Sequence, residues 1–427
     1  MARPIALALA LVLLGLAPPA SRADADRGGD ACDTPAMISF LDGAHCERPA
    51  ARSALTTLAA KTLMGTNADG TRWRVTYETG QYASEAEADA YAQMQLVAAM
   101  RAYANETAWG FASHDPDGIL DVTLDGCDCI YASAEADIHL FPRPNDILPL
   151  LPGLAYRSES EMIEIIVGHE LFHHMQFGLQ QWRLGNWLVE GMARASETAN
   201  VPDGTFLPTT LTYRRDDNGM NGFVNAPSRT IAQHSYDWSI VWGYLYAHEG
   251  GVALWKAVLE ETATASGDAN VAGPAAIQRA MDRVPGGEHA TFAEAYAAFA
   301  EALVTHAGWT WGAPDGTGAH DWSTYFVALG RTNGAVLVYY TIPAWGIRFH
   351  DARPAAPGGD STLAYAGQPF IRARLYTHAG GAAAMRDAEP MNAISGVDDA
   401  ALLLVRTSVE LQDGGGVYGI YSVIVRR

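Results

Sequence analysis

Residues 167–178 read VGHELFHHMQFG and place three histidines and a glutamate within six positions. His169 and His173 are four residues apart. On a helix that is slightly more than one turn, so both imidazoles leave the same face and reach a common point. Two imidazoles so placed suit a Zn²⁺ ion, at bond lengths of about 2.0–2.1 Å. Glu170 stands beside the first of them, where its carboxylate can serve a zinc-bound water as general base. His174 lies about 100° further round the helix and should not share the metal, which leaves it a structural role.

A catalytic zinc site takes three protein ligands and keeps a fourth position open. The third ligand is expected from NWLVEGMARASE, residues 186–197, where Glu190 sits in an apolar stretch. A carboxylate there is costly to bury unless it is paired or metal-bound. Gly185-Asn186 breaks the chain ahead of it and lets two helices run back on each other. Gly191 removes side-chain bulk where two helices and a metal would crowd.

VGHELFHHMQ, NWLVEGMA and Glu197 together resemble the gluzincin metallopeptidases, the clan of thermolysin and aminopeptidase N, over roughly residues 130–310. The resemblance implies an α+β fold: a zincin-like domain with a mixed sheet, an edge strand and a helical subdomain. It implies that His169, His173 and Glu190 hold zinc and that Glu170 is the general base. It also implies that Glu197, seven residues beyond Glu190, lies close to the site and orients a ligand. Related enzymes use a Tyr or His downstream of the third ligand to stabilise the oxyanion, which points here to Tyr236, with His234 as runner-up. An edge strand before the catalytic helix, read here as 130–141, would pair with an extended peptide. This chain departs from the aminopeptidases in lacking Gly-x-Met-Glu-Asn, so endopeptidase action is the expectation. A metzincin assignment fails because Gln176 stands where that family needs Gly and Leu179 where it needs His.

These residues need elements to position them. Helical spacing predicts helices over 84–108, with Ser84 as N-cap, and over 158–182, with Ser158 and Glu161 as a capping box. Further helices are predicted over 187–200, 236–263 and 291–309. Strands are predicted at 72–80, 118–124 and 130–141. From about residue 316 the texture becomes β, with short runs at 323–330, 335–343, 345–350, 369–378, 401–410 and 416–425. Turn residues separate them, the pattern of a small C-terminal antiparallel β-sandwich.

Composition bounds the rest. The chain has 427 residues, is 49% hydrophobic and 18% charged, and carries a formal net charge of −20. That balance argues against nucleic acid or an anionic membrane as partner, since both need a basic footprint. Residues 1–25 read as a signal peptide, with an apolar run too short to span a bilayer. The expected order is therefore an exported chain, periplasmic or extracellular, with an irregular segment over 26–70. A metallopeptidase domain over 71–315 and the sandwich over 316–427 follow. Cys32, Cys46, Cys127 and Cys129 are read as two disulfides, with pairing between the N-terminal and the internal cysteines favoured. The expected partner is a peptide or protein substrate. The alternatives are a secreted binding protein with a structural zinc-helix pair, and a zinc hydrolase of non-peptide bonds.

Overall fold

The histidine-bearing helix, α2 (Glu159–Leu179), is buried around nearly its whole circumference. A helix without a polar face belongs inside a domain, not on its surface. On its sides lie α1 (Glu85–Ala108), α3 (Asn186–Asn200) and one edge of a sheet. The computed structural model describes residues 60–113, 118–124, 131–132, 137–140, 159–179, 184–200, 230–305, 338–354, 356, 358–367, 371–407 and 418–426. The signal segment, the four cysteines, Ser158, the run at 323–330 and the expected boundary near 315 lie outside these residues. Among the described residues no helix is long and apolar enough to cross a membrane.

The sheet is mixed, as expected. Its order is β1 (Ala60–Thr66), β2 (Arg72–Glu78), β3 (Ile119–Leu124), β5 (Asp137–Leu140), β4 (Tyr131–Ala132). β2, β3 and β5 run parallel, while β1 and β4 are antiparallel to their neighbours. The strand expected over 130–141 is therefore corrected to two: β4 folds back on β5, with Tyr131 opposite His139. That makes β4 the sheet edge beside α2. β1 was not anticipated, because its residues alternate only between exposed and half-buried and leave no strong apolar face. Asp121, on β3, pairs with Arg74 of β2.

α1 begins where the sequence predicts. Ser84 is its N-cap and accepts from the Glu87 N–H at 3.2 Å, while the Glu87 carboxylate accepts from the Ala83 N–H at 2.6 Å. Ala88, Ala92, Leu96, Ala99 and Tyr103 form the buried stripe at helical spacing. Glu106 continues that stripe, so a carboxyl group is carried into the core. Asn200 at the end of α3 donates to it at 3.0 Å.

The helix expected over 236–263 is corrected to three pieces. A 3₁₀ turn (Tyr236–Trp238) leads into α4 (Ser239–His248), and α5 (Gly251–Thr262) follows. Gly250 and Gly251, at φ +110° and +66°, make the break, a conformation that glycine adopts without a Cβ penalty. α6 (Ala269–Arg283) was not anticipated, its Gly and Pro content masking it. α7 (Phe292–Thr305) was.

The C-terminal residues form two four-stranded antiparallel sheets. One has the order β10 (Ala382–Asp387), β9 (Ile371–Ala379), β12 (Asp399–Arg406), β7 (Ile347–Asp351). The other has β11 (Met391–Ser395), β8 (Asp360–Gly367), β13 (Tyr418–Arg426), β6 (Val338–Pro343). Ala400, Leu402 and Leu404 of β12 join Ile342, Leu363, Leu375 and Ile394 in the core between the sheets. Leu403 and Val405 point the other way, into the apolar core shared with α2, α3 and α7. β12 is thus buried on both faces. The loop before β7 sends Trp345 into the same helical core, where it packs on Phe292 and Tyr296 at ring-centroid separations of 4.7 and 5.7 Å. Trp345 adopts φ +60°, unusual for a bulky residue, and Tyr296 donates to its carbonyl.

Burial holds the Glu106 carboxyl well above the usual carboxylate range, against the opposing Asn200 hydrogen bond and the charge of His169. A raised acid favours the protonated fold. Its contribution is complete below the ordinary carboxyl pKa and is lost as pH rises towards the raised value. Glu106→Gln keeps an acceptor for Asn200 and removes that loss. In urea titrations at about pH 5 and about pH 8, the variant's stability relative to wild type should rise with pH. A relative stability that is flat or falls with pH would show that Glu106 is ionised in the fold.

Candidate metal centre

α2 and α3 run antiparallel and meet through matching triads. His169, His173 and Gln176 share one face of α2, at spacings of four and seven. Glu190, Arg194 and Glu197 share one face of α3 at the same spacings. The contacts run in antiparallel register: His169 bonds Glu197 at one end, and Gln176 bonds the Val189 carbonyl at the other. The ligand groups meet between these two rungs.

His169, His173 and Glu190 form a buried group able to hold a metal ion. The two Nε2 atoms are 3.0 Å apart, and Glu190 Oε2 lies 3.4 Å from His169 Nε2 and 3.6 Å from His173 Nε2. Three ligand atoms arranged tetrahedrally at zinc bond lengths would stand about 3.3 Å apart, so the triangle has the right size. The donor chemistry fits too. Each Nδ1 faces an acceptor, Glu197 Oε1 at 2.7 Å and Gln176 Oε1 at 2.8 Å, which leaves the Nε2 lone pairs for the centre. Both Glu190 oxygens are buried without a hydrogen-bond partner.

The electrostatics at this point favour positive charge. Burial works against charging His169, but Glu190 and Glu197 outweigh it and push its pKa up to about 10. Burial alone would raise Glu190, yet the charge of His173 and contact with both imidazoles bring it to about 2. Glu170 has no such partner. Burial pushes it up to about 8, against the pull of His169, and its Oε2 has no hydrogen-bond partner. Arg194 donates to Glu197 at 3.2 Å and offsets part of the acidic load.

The structure brings Tyr236 to this group. Its ring stacks on His169 at a centroid separation of 6.0 Å. Burial, then the charge of Glu190, hold its phenol well above the usual range. His234 belongs to the same stretch. Its Nδ1 sits 2.6 Å from Asp237 Oδ2, and its ring packs on Trp238. Asp237 also accepts from the Ser235 N–H, which fixes the turn. His174 faces Ser113 at 2.8 Å, away from the metal group, as its place on the helix predicts. Gln176 and Asp237 were missed. Their spacing of three from His173 and His234 was the available signal, since on a helix or 3₁₀ turn that spacing allows contact.

Gly191 is required for a different reason from the one expected. A Cβ there would meet the Ser235 carbonyl at 3.1 Å, Trp238 Cβ at 3.2 Å and Trp242 Cδ1 at 3.3 Å. The crowding comes from the turn carrying Tyr236 and from Trp242 of α4, not from α2. Gly168 similarly admits Asn200, whose Nδ2 would lie 3.2 Å from a Cβ.

No protein-family model matches this chain, and no curated protein matches it. Among the solved structures that overlap it in part are a lysozyme inhibitor and an aminopeptidase. Aeromonas hydrophila PliG, a periplasmic lysozyme inhibitor of g-type lysozyme, is 15% identical over 23% of this chain and 95% of its own, with a TM-score of 0.17. Legionella pneumophila aminopeptidase A, in complex with aspartic acid, is 10% identical over 80% of this chain, with a TM-score of 0.33. The chain spans 36% of that protein's length. At these scores neither overlap identifies a family.

Gly191→Ala should destabilise the protein by about 1–3 kcal/mol in denaturant unfolding, as overpacking does. An unchanged unfolding midpoint would mean that the 235–238 turn yields freely. Elemental analysis of the purified protein should find one divalent metal per chain, and His169→Ala should abolish it.

Proposed function

We propose that the protein is an exported zinc-dependent hydrolase of peptide bonds, acting as an endopeptidase on peptide or protein substrates. The observation that carries this reading is the buried triangle of His169 Nε2, His173 Nε2 and Glu190 Oε2, spaced 3.0–3.6 Å, with the partnerless Glu170 carboxylate oxygen beside it. Export rests on the apolar leader at residues 5–16.

When bound there, zinc supplies a Lewis acid that polarises a carbonyl and activates water. His169, His173 and Glu190 hold it, and Glu197 fixes the orientation of His169. Glu170, in its carboxylate form, would take the proton of the attacking water as general base. Tyr236 is the foremost donor to the developing oxyanion, because it stacks on His169 within the same group. His234 is the second donor, oriented by Asp237. The edge of β4 beside α2 offers backbone groups to an extended substrate.

A second reading has one observation in its favour. All three ligands are at most 1% exposed, and such a closed site also suits a structural zinc in a secreted binding protein.

Glu170→Gln separates the two. It should retain one zinc and lose hydrolysis of a mixed peptide library by orders of magnitude. Full activity in this variant would exclude Glu170 as base, and a wild type that cleaves nothing while binding zinc would favour the structural site. For the oxyanion, Tyr236→Phe should lower kcat about 10²–10³-fold with little change in KM. If His234→Ala does so instead, the roles are exchanged.

A further inference from the structure

We propose that Gln176 is a positioning residue of the metal centre, fixing the tautomer of His173 and the register of α3 against α2. The inference rests on the metal-binding reading of His169, His173 and Glu190.

The argument follows from donor and acceptor types. The Val189 carbonyl can only accept, and it lies 3.1 Å from Gln176 Nε2. This fixes the amide: its NH₂ faces Val189 and its Oε1 faces His173 Nδ1 at 2.8 Å. An amide oxygen cannot donate, so His173 must carry its proton on Nδ1. The Nε2 lone pair is then directed at the ligand triangle. Glu197 does the same for His169 with a carboxylate, also an acceptor only. The two histidines are therefore oriented by different chemistry from different helices, His169 from α3 and His173 from its own helix.

The second half of the amide carries as much consequence. Val189 immediately precedes Glu190. Its carbonyl lies in the first turn of α3, just after the left-handed Gly185 at φ +96°. Gln176 thus ties the end of α2 to the residue beside the third ligand. A one-residue slip of α3 would turn Glu190 by about 100° away from the imidazoles. The Gln176 bond opposes that slip from one side of the metal, and the His169–Glu197 bond opposes it from the other. Gln176 is fully buried, so no water competes for either bond.

The test uses the full-length protein with zinc and with cobalt(II), whose visible spectrum reports ligand geometry. Gln176→Met keeps the length and removes both strong hydrogen bonds. It should weaken zinc binding about 10–100-fold and alter the cobalt spectrum, with metal-free secondary structure retained. Gln176→Glu restores the acceptor for His173 but not the donor to Val189, and should recover the wild-type spectrum and part of the affinity. Wild-type affinity and spectrum in Gln176→Met would overturn the proposal, as would a Glu variant no better than Met. If Gln176→Met does not fold, the cobalt spectrum of Gln176→Glu decides: a wild-type ligand geometry with weakened affinity supports the role, and an altered geometry or unweakened affinity refutes it. A wild type that binds neither metal would instead refute the underlying reading of the three ligands.

Discussion

Two imidazole nitrogens 3.0 Å apart beside a buried carboxylate form a cluster whose charge a bound cation would balance. Much of the helical core is arranged around this cluster. It explains why α2 is enclosed on every side, since a weakly screened site makes each charge count. It explains why α3 returns antiparallel at close range, and why acceptors stand behind both histidines. The protein also concentrates acid here: Glu106, Glu170, Glu190 and Glu197 are all buried near one another. Only Glu190 and Glu197 meet cationic partners. Glu106 and Glu170 are pushed towards their neutral forms. Burial thus raises Glu106 and Glu170, while at Glu190 the imidazoles outweigh burial.

Packing serves the same end through small residues and large rings. Gly168 and Gly191 let Asn200 and the 235–238 turn approach the two site helices. Trp187, three residues before Glu190, stacks on Trp242 at 5.7 Å and makes an edge contact with Trp238 at 6.0 Å. Trp238 in turn stacks on Tyr296, which touches Trp345 from the sandwich. Rigid rings therefore run from the third ligand's helix to the C-terminal sheets, where flexible side chains would transmit position poorly.

The site was more legible in the sequence than the fold. His169, Glu170, His173 and Glu190 sit at spacings that a helix converts directly into a shared face, so residue number predicts direction. Glu197 was reachable by the same arithmetic on α3. Gln176 was passed over because a glutamine titrates nothing and stands out only once its two partners are known. The fold was harder where local signals were weak. β10 begins with three alanines, which favour helix over strand, and it forms because β9 offers a partner. β1 and β8 likewise take their conformation from neighbours. The break between α4 and α5 was written in Gly250-Gly251, but the apolar run through it outweighed the glycines.

β12 has a consequence for how the molecule comes into being. Its outward residues Leu403 and Val405 complete the core around α2 and α7, yet they are made near the end of a chain of 427 residues. During synthesis the helices emerge first, with one apolar flank still waiting for its cover. Ile347 of β7 and Tyr376 of β9 share in that cover, and both strands pair with β12. Closure of the helical core therefore waits for β12, which is made well after the helices it covers. Removal of β12 would leave the helical core not merely smaller but unsealed.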